Sequence, residues 1–132
     1  MTSKKDGFVY NQITQPQAAE LSRNMYTNNN FESDLINSYA WDTVIVFIQT
    51  FGQSNYWKQV PLSENILKTG IAGDEQLHIN DMAGNVLEWT TESYNMSSNT
   101  SISRGGSFNS TSNYTTVRHD FGVGNSYSTS RI

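Results

Sequence analysis

Residues 81–90 of this chain, DMAGNVLEWT, hold Asp81, Gly84, Asn85, Glu88 and Trp89 within one short stretch. Gly84-Asn85 signals a tight turn, and NVLEWT reads as the strand that leaves it. In that strand Val86, Glu88 and Thr90 share one face, while Leu87 and Trp89 share the other, taken as the core face. Asp81 stands just before the turn and folds back toward Glu88. Two carboxylates held together repel unless one is protonated or a cation lies between them. Ca2+ takes carboxylate and backbone carbonyl oxygens, and a glycine turn exposes carbonyls. The plainer alternative makes Asp81 an Asx-turn residue and Glu88 a solvated strand residue.

Other chemistry has little to work with. Cysteine is absent, which excludes disulfides, thiolate metal sites and cysteine nucleophiles. The only histidines are His78 and His119, read as a turn residue and a surface loop residue. Ser107 and His119 make a conceivable nucleophile and base, though Ser107 sits in a motif better explained structurally. Charged residues are 15% of the chain and the net charge is −4. That balance argues against electrostatic nucleic-acid binding, which needs a basic footprint. No apolar run reaches the ~20 residues of a membrane span, and MTSKKDGFVY lacks the apolar stretch of a signal peptide.

The elements that must position the turn are legible in part. At 132 residues the chain is expected to be a single domain over 1–132. Residues 13–26 read as a helix capped by Thr14, with Gln17 completing a capping box and Pro16 in the first turn. Ala18, Leu21 and Met25 fall on one face. Residues 37–52 read as a second helix, with Asn37 as N-cap, Gly52 as its stop, and Trp41, Val44, Ile45 and Ile48 at helical spacing. The run TVIVFI is also compatible with a buried strand; length and caps favour helix. From residue 70 onward short strand-like pieces, LHIN, NVLEWTTE and SISRGGSF, alternate with Gly, Ser and Asn. Residues 93–101 read as a polar loop. Residues 109–130 are a nearly uncharged tract of Ser, Thr, Asn, Tyr and Gly, punctuated by Tyr114, Val117, Phe121 and Tyr127. The expected core includes Trp41, Leu87, Trp89 and Phe108.

DMAGNVLEWT followed by Arg104-Gly105-Gly106-Ser107 and Phe108 resembles the paired signature of the formylglycine-generating-enzyme (sulfatase-modifying factor) domain family. Leu35, Asn37 and Trp41 stand where that family has a leucine, a helix-capping threonine and a helical tryptophan. The resemblance implies an α+β, C-type-lectin-like fold with two helices, a short antiparallel sheet and a loop-rich C-terminal half. It also implies a structural Ca2+ held by the Asp81 and Glu88 side chains with the Gly84 and Val86 carbonyls. The family's enzymes oxidise a cysteine using a copper-binding cysteine pair shortly after RGGS. Here that region carries Ser110 and Thr115. Hydroxyls do not replace soft thiolates as Cu(I) ligands, so no copper is expected. Arg118 resembles a scaffold arginine, with a role in packing or hydrogen bonding inside the domain.

The expected function is therefore non-catalytic binding, with a degenerate or unconventional enzyme of the same family as the alternative. The tract 109–128 has the composition of a recognition surface: Tyr gives rigid contact area, while Ser, Asn and Gly adapt their hydrogen bonds. The candidate contact residues are Asn109, Ser110, Asn113, Tyr114, His119, Asp120, Phe121, Asn125 and Tyr127. The tract also resembles the variable regions of proteins diversified by retroelements, which change adenines in Asn codons. The partner would be a protein or glycan, met at a phage particle or bacterial surface. The family's terminal strands are expected to be missing from 1–132, which would leave a sheet edge open for dimerisation.

Overall fold

The computed structural model describes residues 5–26, 30–58, 62–93, 100–109, 118–122 and 130–131. Helix α1 spans Gln15–Arg23 and helix α2 spans Ser38–Phe51. Strands β1 (Leu87–Ser93), β2 (Thr100–Arg104), β3 (Arg118–Gly122) and β4 (Ser130–Arg131) form one sheet in the order β3-β2-β1-β4. β1–β2 and β2–β3 are antiparallel, and the two-residue β4 pairs in parallel with β1.

Local sequence signals set both helix starts. The Thr14 side chain accepts the Gln17 N–H, and Gln17 Oε1 accepts the Thr14 N–H at 2.9 Å, closing the capping box. α1 is shorter than the residues 13–26 expected from periodicity, ending at Arg23 with Asn24 as its C-cap. Asn37 Oδ1 accepts the Ala40 N–H at 2.7 Å, so α2 begins where its cap predicts. Of its expected inward stripe, Trp41, Ile45 and Ile48 are buried and Val44 packs partly buried against them. The strand alternative for TVIVFI is thereby excluded.

The core has two clusters. Trp41, Ile45, Ile48, Tyr56, Met82 and Ala83 form one, with Tyr56 supplied by a 3-10 turn at Tyr56–Lys58. Ile13, Ala18, Ala19, Leu35 and Trp89 form the other. Both helices contact β1. The Trp89 indole N–H donates to the Ile13 carbonyl at 3.0 Å, so the chain entering α1 is pinned to β1. Phe108, expected in the core, is only partly buried. Its backbone matters more: Phe108 N–H donates to Asn85 O at 2.8 Å, and its carbonyl receives the Ser63 N–H at 2.8 Å.

Three strand expectations are corrected. LHIN is not a strand: Leu77 and His78 have φ of 53° and 64°, and Gln76 pairs with Ile79 across them as an isolated tight turn. SISRGGSF stops pairing at Arg104, because Gly105 turns away at φ 85°. A Cβ on Gly105 would meet the Met82 carbonyl at 3.2 Å and the Trp41 ring at 3.3 Å. Finally, the tract 109–130, expected within a loop-rich half, contains β3, whose five residues pair in unbroken register with β2.

Candidate functional site

The stretch 81–90 is held by Asp81 and Asn85 of its own and by Asp74, which was not singled out in the sequence. Asp74, 5% exposed, accepts the Asp81 N–H at 3.0 Å, the Ala83 N–H at 2.9 Å and the Tyr56 hydroxyl at 3.1 Å. It thus satisfies backbone donors that a non-helical buried turn would otherwise leave unpaired. Asp81 has φ 61°, and its Oδ2 accepts the Gly70 N–H at 2.9 Å. Asn85, φ 67° and 1% exposed, clamps the segment before it: its Oδ1 accepts the Leu67 N–H and its amide donates to the Leu67 carbonyl, both at 3.0 Å. AGDEQLHIN offers no periodic or paired signal that would mark Asp74 in advance.

Glu88 departs from the expected alternation. Val86 and Thr90, on its side of the strand, are as buried as Leu87 and Trp89 on the other. Through Thr90, β1 is covered on both faces, so its pattern there does not separate core from solvent. Glu88 is partly buried and, with Trp41, Trp89, Met82 and Asp34, lines a cavity of about 260 Å3. Burial raises the Tyr56 phenol well above its ordinary pKa. The charge and hydrogen bond of Asp74, then the charges of Glu88 and Asp81, push it the same way. The charges of Asp74, Asp81 and Glu88 thus all bear on the Tyr56 hydroxyl. Among the described residues, no group of three or more His, Asp or Glu side chains is placed to hold a metal ion.

The RGGS segment is structural. Arg104 is 1% exposed and pairs with Asp42 of α2, while Ser107 is buried and its hydroxyl reaches Asn109 Oδ1 at 3.3 Å. Ser103 of β2 pairs with His119 of β3, so His119 is a strand residue rather than a loop residue. His78 is the turn residue expected.

Of the proposed contact residues, Asn109 is exposed in a turn. His119 is partly buried in β3, and Asp120 and Phe121 are carried by the same strand. Ser110, Asn113, Tyr114, Asn125 and Tyr127 lie outside the described residues. Arg118, at the start of β3, forms an ion pair with Glu92 of β1, the internal scaffold role expected of it.

The capped helices, the buried GN-x-x-EW strand and the glycine turn after Arg104 form one arrangement, and it is matched by known proteins. Residues 6–131 match the Sulfatase-modifying factor enzyme 1-like domain. The chain belongs to this family. Two solved structures share its fold. One, CarF, superposes with a TM-score of 0.58 at 19% identity, covering 80% of this chain and 48% of that one. The other, Treponema denticola variable protein 1, gives a TM-score of 0.53 at 15% identity, covering 76% of this chain and 49% of that one. This chain thus spans about half the length of either structure. No curated protein matches it. The fold is α+β and C-type-lectin-like, and the family's copper-binding cysteine pair is absent.

Proposed function

We propose that this domain is a non-catalytic binding module whose scaffold presents residues 109–128 to a protein or glycan partner. The observation that carries this reading is β3. The centre of the Tyr/Ser/Asn tract is a strand zipped onto β2 and tied to β1 by the Arg118–Glu92 pair. Flanking segments of recognition composition are thus attached to a rigid sheet, where binding surfaces are usually built. Loss of the cysteine pair removes the family's oxidase chemistry and leaves the fold free for binding.

In this reading the tract is diversified by a retroelement, so the ligand differs between copies and is met at a phage particle or bacterial surface. Likeness to Treponema denticola variable protein 1 supports that step. The surrounding DNA tests it. A near-copy of this segment, differing mainly at adenines and lying beside a reverse-transcriptase gene, is expected. An intact locus without such a copy would refute diversification while leaving the binding module standing. Binding itself is tested by applying the labelled chain to an array of bacterial glycans and surface proteins. Retention on none of them would count against it.

A structural Ca2+ belongs to the same proposal. Asp81 and Glu88 would supply hard carboxylate oxygens, and the Gly84 and Val86 carbonyls would complete the shell; the charge that both exert on Tyr56 supports this reading. The ion would relieve the crowding of negative charge beside Tyr56. Dimerisation through the outer edge of β3 is a further part of the reading: among the described residues no strand pairs with that edge.

A further inference from the structure

A second cavity, of about 250 Å3, opens where the start of α2 meets the end of β1 and the start of β3. It is separate from the Glu88 cavity and, although Arg118 belongs to the tract, it uses none of the nine candidate contact residues. Its lining residues carry polar groups of mixed sign over a surface that is largely apolar. Glu92 is fixed from two sides, with one carboxylate oxygen on Arg118 and the other receiving the Ser38 hydroxyl. Asp42 is fixed by Arg104 behind it. Two carboxylates are thus offset by two guanidiniums, and the cavity carries no large net charge. Each pair still has an open edge toward solvent: Arg118 and Asp42 are 52% and 57% exposed. Thr91 adds a hydroxyl to the lining, and Tyr39 lines it with a ring on a residue 87% exposed.

We infer that this cavity binds one neutral sugar ring, without a metal. Acceptor edges (Asp42, Glu92) and donor edges (Arg118, Thr91) stand side by side, which suits adjacent hydroxyls that each donate and accept. A ligand of full charge would meet an opposite and a like charge together and gain little from either. Tyr39 offers an exposed aromatic platform for the apolar C–H face of a pyranose. The volume lies just below the ~300–1,000 Å3 of drug-sized sites, which limits the occupant to a single small ring. Both ion pairs are formed before any ligand arrives, so little ordering remains to be done on binding.

Saturation-transfer NMR on the whole chain, in EDTA, tests this with glucose, galactose, mannose and N-acetylglucosamine. Glucuronate and a neutral dipeptide amide serve as comparators. Transfer to at least one neutral sugar is expected, stronger than to either comparator, and lost in Tyr39→Ala and in Arg118→Gln. Tyr39 is too exposed for its truncation to unfold the domain, and a thermal melt of each variant checks this directly. Substitution of Asn113, Tyr114, Asn125 and Tyr127 should leave the sugar signal intact, which separates this site from the tract. Absence of transfer to every neutral sugar would overturn the inference. So would transfer unchanged in Tyr39→Ala. A stronger signal for glucuronate or the dipeptide would overturn it in favour of an anion or peptide site.

Discussion

Arg118 on β3 and Glu92 on β1 are joined by an ion pair that reaches past β2, the strand between them. This fixes one end of β3, and with it the start of the C-terminal half of the tract, to the strand that carries Trp89. Glu92 is itself steadied by the Ser38 hydroxyl at the first turn of α2, so helix, sheet and tract meet at one carboxylate.

Trp89→Ala should lower stability by ~3–5 kcal/mol, the usual range for a deleted buried aromatic. Trp89 is fully buried and its indole also holds the Ile13 carbonyl. Urea unfolding measures the loss. A change under ~1 kcal/mol would mean that the α1 cluster does not depend on this side chain.

Asp42→Ala should be costlier than its exposure suggests. It leaves the Arg104 guanidinium, whose side chain is 2% exposed, without its carboxylate. Breaking a fully buried pair costs ~3–5 kcal/mol; ~2–3 kcal/mol is expected because Asp42 itself is 57% exposed. Asp42→Asn should recover part of this by keeping an acceptor. Equal stability of wild type and Asp42→Ala in urea would show that Arg104 is held by other means.

Alkaline pH should destabilise the domain through Tyr56. Its folded-state pKa is raised by burial and then by Asp74, Glu88 and Asp81. Above the unfolded value of about 10, the unfolded chain releases a proton that the folded chain retains. The unfolded state then binds fewer protons, so stability falls as pH rises, and it is fully present below that pH. Tyr56→Phe should flatten the fall, at a cost near ~1.5–3 kcal/mol at neutral pH from the lost bond to a charged acceptor. Thermal melts of both proteins between pH 8 and pH 11 provide the comparison. Parallel alkaline slopes would contradict the assignment.

Ca2+ should raise the melting temperature of chelator-treated protein, because a ligand bound only by the folded state stabilises it. Glu88→Gln should abolish most of the rise. Identical melts with Ca2+ and with chelator would remove the ion from the account.

How far the sequence reached depended on whether a signal was local. Thr14, Gln17 and Asn37 act on residues three positions away, so both helix starts were readable. The glycine after Arg104 and the GN turn were readable for the same reason. LHIN failed because Leu and His give no warning that they will occupy left-handed backbone, which Asn or Gly would have given. The solvated alternative for Glu88 failed because alternation marks a solvent face only when one face of the strand is wet, and β1 is covered on both through Thr90. β3 was missed because RHDFG has no strand-like pattern of its own; its pairing with β2 is a tertiary effect. Asp74 was missed since its three bonded partners, Tyr56, Asp81 and Ala83, are scattered along the chain.

The binding account is tested most directly by replacing Asn113, Tyr114, Asn125 and Tyr127 together with alanine. Melting temperature and retention on an array of glycans and surface proteins are then measured on the same preparation. Aromatic residues tend to carry interface energy, and Tyr114 and Tyr127 are the expected anchors. The account predicts a melting temperature within a few degrees of wild type and loss of the array binding that Tyr39→Ala retains. Collapse of the melting transition, or binding equal to wild type, would contradict it.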